Sequence, residues 1–304
     1  PKNRLFRFEQ GVLASFAVDT LEVYMTTQLK GQETYFLPFN MGKGEGIETG
    51  SGNPHNPDGV DTEYLWLDVL AMDSILQLVE SFIFYEVDKS NSKKKTLIFP
   101  RYHQRRAVSR LLEDMKTNHT DNNYLIQHSA GSGKTNTIAW LAHSLVSLHD
   151  DQNRNIVDTV LIVTDRIVVD RQLQDAVRQI SHKNGVVKVM GDRETSSDLA
   201  DAIAGNTKII ATTIHKFAQI NQSDWMSVGN TANKKFAILI DEAHSSTTGS
   251  YMSSVSQVLT ETDTENGTID EVQEVTVADA IEQEIARTGK QDNVCLLYTS
   301  DAAD

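Results

Sequence analysis

The stretch YLIQHSAGSGKT, residues 124–135, constrains this chain more than any other. An apolar strand pattern, Tyr124–Gln127, runs into a glycine-bearing turn. A helical pattern follows over 134–148, with Ile138, Leu141, Ala142, Leu145 and Leu148 on one face. Glycines let backbone N–H groups turn inward and cradle phosphate oxygens. The helix N-terminus adds its partial positive charge. The run Ala130, Gly131, Ser132, Gly133, Lys134 and Thr135 is therefore a candidate phosphate cradle. In such a cradle Lys134 reaches the β- and γ-phosphates, and the Thr135 hydroxyl ligates Mg²⁺. The fuller pattern has Gly where this chain has His128, so the plain alternative is a glycine-rich loop ahead of a helix.

After residue 95, apolar β-rich runs alternate with helical patterns. Strands are expected at Tyr124–Gln127, Val160–Thr164, Val186–Val189, Lys208–Thr212 and Phe236–Asp241, and helices at about 134–148, 168–180 and 196–203. This alternation predicts an α/β domain with a parallel sheet covered by helices. No internal repeat or heptad run is visible. The second chemical signal is FAILIDEAH, residues 236–244, where a buried-type strand ends in two carboxylates. Asp241 is placed to hold Mg²⁺, through water, and Glu242 to orient the water that attacks a γ-phosphate. His244 lies close enough in sequence to relay nucleotide state. A strand ending in Asp-Glu is common alone; about 107 residues after the glycine turn, it points to a nucleotide-hydrolysing domain.

Residues 1–95 read differently. Short strands are expected at Ala14–Val18 and Glu33–Phe39, a loop over 42–60, and a helix over Trp66–Phe84 with Leu67, Leu70, Ile75, Leu78, Val79 and Phe82 on its apolar face. The polar run 88–95, DKSNSKKK, is the expected boundary between domains. Net charge is −14, but residues 241–304 hold 14 acidic and 2 basic side chains, so the remainder is nearly neutral. A nucleic-acid partner is therefore compatible with the charge, since affinity needs only a local basic track. Lys93–Lys95, Arg101, Arg105, Arg106 and Arg110 form the densest basic stretch, which is equally a solvated linker and helix face. The acidic segment 261–284 reads as a solvated, mobile run. A single Cys excludes a disulfide framework and a multi-cysteine zinc site, and fits a reducing, cytoplasmic setting. No apolar run reaches the ~18 residues of a membrane span. The chain opens on Pro1, which suggests a fragment.

GSGKT with DEAH resembles superfamily 2 helicases and translocases. More narrowly, the chain resembles the R (motor and nuclease) subunit of type I restriction enzymes. FAVDTLEVYMTTQLKG, FLPFN, GSGNP and YLWLDVL, within 16–70, resemble that family's segment leading into the motor. FPRYHQ, QHSAGSGKT, VTDRIVVDRQL, TTIHKF and IDEAHSS resemble its first motor domain in order and spacing. The resemblance implies a RecA-like P-loop domain, preceded by the C-terminal remainder of a mixed α/β nuclease domain. It divides the chain into 1–92, 93–293 and a tail. It implies ATP with Mg²⁺, duplex DNA, and specificity and methylation subunits as partners. Gln104 matches the family's adenine-reading Gln; the plain alternative is a helix-start Gln. Thr164, Asp165, Arg166 and Arg171 match a motif that faces the DNA backbone, and Thr212 and Thr213 match the next. Phosphate contacts of this kind position a protein without reading sequence; capping or surface charge is the alternative for each.

The nuclease core that the family carries upstream has no convincing Asp…Glu-x-Lys set in residues 1–90. The second motor domain and its arginine finger are absent, and so is the aromatic–Thr-Ala-Thr motif expected after Asn293. In its place, VCLLYTSDAAD at 294–304 reads as translated sequencing-adaptor read-through, a non-native tail. No zinc is expected from nine scattered histidines. Two rivals stay open: another superfamily 2 helicase, and a nucleotide-binding module without catalysis.

Overall fold

A computed structural model describes residues 3, 4, 7, 11–43, 52–87, 95–129, 131–164, 167–180, 186–191, 193–213, 216, 234–241 and 294–301, less the side chains of 167–172, 300 and 301. The chain forms two compact units, Pro1–Ser109 and Arg110–Asp304.

In the first unit, β1 (Ser15–Val18) and β2 (Val23–Thr26) form an antiparallel hairpin in the register Val18↔Val23. Asp19 shapes the turn, its Oδ1 accepting from Leu21 N and Glu22 N at 2.7 and 2.8 Å. Those bonds hold its carboxyl below the usual range. The strand expected over Glu33–Phe39 shrinks to β3 (Leu37–Pro38), which pairs with β2. Gly31 at φ 64° opens a 3₁₀ turn, Gly31–Glu33, that uses up the start of that segment. Buried Asn53 fastens the following loop: it accepts from Met41 N and donates to Leu21 O and Asn40 Oδ1. Phe16, Phe39, Phe99, Tyr64 and Tyr102 stack edge-on or tilted, with centroids 5.0–6.2 Å apart.

The helix expected over Trp66–Phe84 is broken into three. A π-helical turn, Leu65–Val69, precedes α1 (Met72–Gln77), and a second π turn, Leu78–Phe82, follows. Their signatures are the bonds Leu70 N→Leu65 O and Ile83 N→Leu78 O. Each wider turn shifts the phase of the apolar stripe. The buried residues are Leu65, Val69, Leu78 and Phe82, whereas Leu67, Leu70, Ile75 and Val79 of the expected face are exposed. Arg105 braces this segment through a two-pronged pair to Asp68, 3.0 and 3.2 Å, and a bond to Ser74 Oγ at 2.7 Å. Across residues 88–94, β4 (Phe84–Val87) pairs antiparallel with β5 (Lys95–Ile98). Helix α2 (Tyr102–Asn118) follows.

The second unit is built on a six-stranded sheet. Its strands are β6 (Tyr124–His128), β7 (Thr159–Thr164), β8 (Val187–Val189), β9 (Ile209–Thr213), β10 (Phe236–Asp241) and β11 (Val294–Asp301). They lie in the order β6-β11-β10-β7-β9-β8, all parallel. Helices α3 (Lys134–Leu145), α4 (Ile167–Ile180) and α5 (Ser196–Ala204) connect them. The α/β class and parallel sheet expected from the alternation are what the fold has. β7, β9 and β10 are buried along their whole length, as strands covered on both faces must be. One face packs Leu161, Val163, Ile210, Phe236, Ile238 and Ile240 against Leu199, Ala200 and Ile203 of α5. By the two-residue period, Val160, Ile162, Thr164, Leu239 and Asp241 belong to the other face. Helix α3 packs on β7 and β10. β11 fills the slot between β6 and β10. Its apolar run, VCLLYT, satisfies a buried parallel strand by pattern alone, so its pairing does not bear on its origin.

Candidate functional site

The glycine turn leaves the C-terminal end of β6 and enters α3. Gly131 stands at φ 73° and Gly133, the helix N-cap, at φ 87°. A Cβ on Gly131 would meet nothing within 4 Å, so the constraint there is backbone conformation rather than space. Ser132 N bonds Ser129 O at 3.1 Å, closing the turn, and Ser132 is buried. Asn136 N and Thr137 N both reach Gly133 O, so the helix starts at once after the glycine. Lys134 and Thr135 occupy the first helical turn, half-buried. Ala130 lies outside the described residues.

The loop's supporting strand has an anchor that the sequence gave little sign of. Asp114, on α2, takes bonds from Tyr124 Oη at 2.6 Å, Asn118 Nδ2 at 3.0 Å and Asn122 Nδ2 at 3.1 Å. The three donors lower its carboxyl pKa and clamp the start of β6. The spacing of Asp114 and Asn118, four residues apart on one helix, was the available signal.

Asp241 ends β10, only 6% exposed. In register beside it is Thr164 of β7, and Thr213 of β9 comes next; on the other side β11 pairs as far as Ile240↔Tyr298. Thr299 Oγ1 donates to Asp241 Oδ1 at 2.8 Å. The glycine turn, Asp241, Thr164 and Thr213 thus share the C-terminal edge of one parallel sheet, where α/β folds bind ligands. Glu242, His244, Asp165 and Arg166 lie outside the described residues; Arg171 is in α4, its side chain likewise outside. Thr212 is fully buried, its hydroxyl donating to Thr213 O at 3.4 Å, and Thr164 is 1% exposed. Both hydroxyls are thus buried at this edge. Thr213 Oγ1 accepts from Lys216 N at 3.5 Å.

In the first unit, Gln104 is buried rather than exposed. Its Oε1 accepts from Arg101 N at 2.8 Å, the reach-back of a capping residue at the start of α2. Mg²⁺ suits the donor set of the second unit. A hydroxyl and a buried carboxylate, with the remaining positions left to water, match its hard, oxygen-seeking, incompletely dehydrated character. Among the described residues, no group of three or more His, Cys, Asp or Glu side chains gathers to form a full metal cage.

Residues 103–264 match the family model described as SWI2/SNF2 ATPase, over more than half of the chain. The chain belongs to the SWI2/SNF2 ATPase family. Curated relatives narrow the comparison. A putative type I restriction enzyme MjaVIIIP endonuclease subunit of Methanocaldococcus jannaschii is 27% identical over 212 residues, covering 65% of this chain and 20% of the relative. A type I restriction enzyme SsaAORF53P endonuclease subunit of Staphylococcus saprophyticus is 26% identical over 222 residues, covering 63% and 22%. The chain thus spans about a fifth of the length of the curated relatives it matches. The resemblance to type I restriction subunits is borne out at this level. Among solved structures, the UvsW helicase of bacteriophage T4 overlaps loosely, at TM-score 0.42 and 14% identity over 75% of this chain and 60% of that one. Among the described residues, no helix is long and apolar enough to cross a membrane.

Proposed function

We propose that this ATPase-family chain is the first motor domain, with its leading segment, of a type I restriction endonuclease subunit. Residues 93–293 form the motor domain in this reading, 1–92 the end of a nuclease domain and its connector, and 294–304 a non-native tail. The motor binds Mg·ATP and duplex DNA and couples hydrolysis to translocation in the cytoplasm. Non-specific cleavage follows, by a nuclease core outside this chain. Specificity and methylation subunits choose the site, because no residue here is assigned to reading bases. The observation that supports this best is the shared sheet edge, with the glycine turn entering α3 at one strand and buried Asp241 ending another.

Each residue has a role in that reading. Backbone N–H groups of Ala130, Gly131, Ser132 and Gly133 cradle the phosphates, and Lys134 neutralises the β- and γ-phosphates. Thr135 and Asp241 hold Mg²⁺, and Glu242 orients the attacking water. Gln104 reads adenine with its side-chain amide. Thr213, Arg166 and Arg171 remain the phosphate-contact candidates. Turnover by the chain alone is expected to be slow, since loss of an arginine finger costs ~10³–10⁵ in rate. The test is Mg·ATP binding and turnover by this chain and by Lys134→Ala. Binding by the first and not the second supports the site. Equal binding by both sinks it, and brisk duplex-stimulated turnover sinks the need for a second motor domain.

A further inference from the structure

The sheet edge holds a group that the motif-by-motif reading leaves unexplained. Thr164 is 1% exposed, and its Oγ1 is buried with no hydrogen-bond partner among the described residues. The other threonines of this edge are engaged: Thr212 donates to Thr213 O, and Thr213 accepts from Lys216 N. Buried hydroxyls are expected to be bonded, so an orphan at a ligand-binding edge signals something small that completes it.

Its neighbours say what. Thr164 pairs in register with Asp241, and paired residues of parallel strands project from the same face. α3, the helix of the glycine turn, packs on the same two strands, β7 and β10. Behind the polar row the same face continues as Ile162, Val160, Leu239 and Ala237, all buried. Thr164 is therefore the last polar group before a dry interior, next to the carboxylate assigned to the cation. So closed a position suits a partner as small as a water rather than a duplex phosphate.

The geometry points to Thr164 as a positioning residue of the nucleotide site, its unpartnered hydroxyl set to bond a water of the Mg²⁺ ion that Asp241 would hold. This rests on the reading of the sheet edge as a Mg·ATP site, and it moves Thr164 from DNA contact to nucleotide contact.

The test is a titration of the full chain with a fluorescent ATP analogue, in Mg²⁺ and in EDTA, for Thr164→Val and Thr164→Ser, with Lys134→Ala alongside. Val keeps the shape and removes the hydroxyl. Outer-shell partners of metal ligands typically contribute 10–100-fold in metal affinity, so Thr164→Val should lose ~10-fold of the affinity that Mg²⁺ adds. Binding in EDTA and duplex binding without nucleotide should be unchanged, and Ser should restore the Mg²⁺ effect. Wild-type Mg²⁺ dependence in Thr164→Val overturns the inference. So does equal weakening in EDTA, which would mark a merely structural role, or weakened duplex binding, which would return Thr164 to the DNA. If Lys134→Ala binds as the wild type does, the nucleotide reading itself fails, and this inference with it.

Discussion

Removing the Asn53 side chain should unfasten the first unit locally, and by a calculable amount. Asn53→Ala deletes three bonds, from Met41 N at 2.7 Å, to Leu21 O at 2.8 Å and to Asn40 Oδ1 at 3.1 Å. Each is worth about 0.5–1.5 kcal/mol net. Leu21 is exposed, so its carbonyl regains water at little cost, while the partly buried Met41 N–H bears a desolvation penalty. The sum is about 2–4 kcal/mol. Asn40 accepts from Val23 N at 2.7 Å, and Val23 is fully buried, so Asn40→Ala strands a donor inside and costs ~1–3 kcal/mol. Because the two amides touch, the double variant should show a coupling of at least ~0.5 kcal/mol. The assay is hydrogen exchange of the Val23 and Met41 amides in the full chain, with residues 159–164 as an internal standard. A loss below ~0.5 kcal/mol at Met41, or an equal loss in β7, would refute the reasoning.

Other outcomes follow from the same geometry. Thr195 caps α5 with a reciprocal box to Asp198, so Thr195→Ala should lose about 1 kcal/mol and Thr195→Ser little, read by urea unfolding. Lys234 Nζ donates to the carbonyls of Ile203, Ala204 and Gly205, so Lys234→Met should cost ~0.3–1 kcal/mol and fray that end, seen as faster exchange there. His143 bonds Val177 O at 2.7 Å, and burial holds its pKa below the ordinary 6.5. The unfolded chain then takes up the proton first. The His143 contribution is complete above pH ~6.5 and falls as pH drops below it. Melting temperatures from pH 8 to 5 should converge between the wild type and His143→Leu; parallel curves would refute this.

The long apolar strands were legible because burial on both faces leaves one pattern: Phe236–Asp241 was expected at its observed bounds, and β7 and β9 within a residue or so. Helix α3 was legible from its stripe and its glycine start. What failed was phase. Counting 3.6 residues per turn through 66–84 put Leu67, Ile75 and Val79 inside, and the two π turns turned them out. The polar run after Val87 looked like a linker, yet the strands on either side of it pair; register across an intervening run is a tertiary fact that composition does not carry. At the site, residue type located Lys134, Thr135 and Asp241 on the right elements. It could not tell a hydroxyl facing solvent from one sealed in the sheet, as those of Thr164 and Thr212 are. Only strand register separates those cases.

The position of β6 also sets a clock. It is hydrogen-bonded to no described strand except β11, whose Cys295 bonds Asn122 O across 173 residues of sequence. A ribosome adds about 5–20 residues each second, so roughly 10–35 s separate synthesis of the glycine turn from synthesis of the strand that docks it. Whatever sequence occupies that slot arrives late, and until then β6 holds to the nascent domain only through its own ends. Factors that shield nascent chains would therefore find the phosphate loop, rather than the sheet's centre, as the last piece to settle.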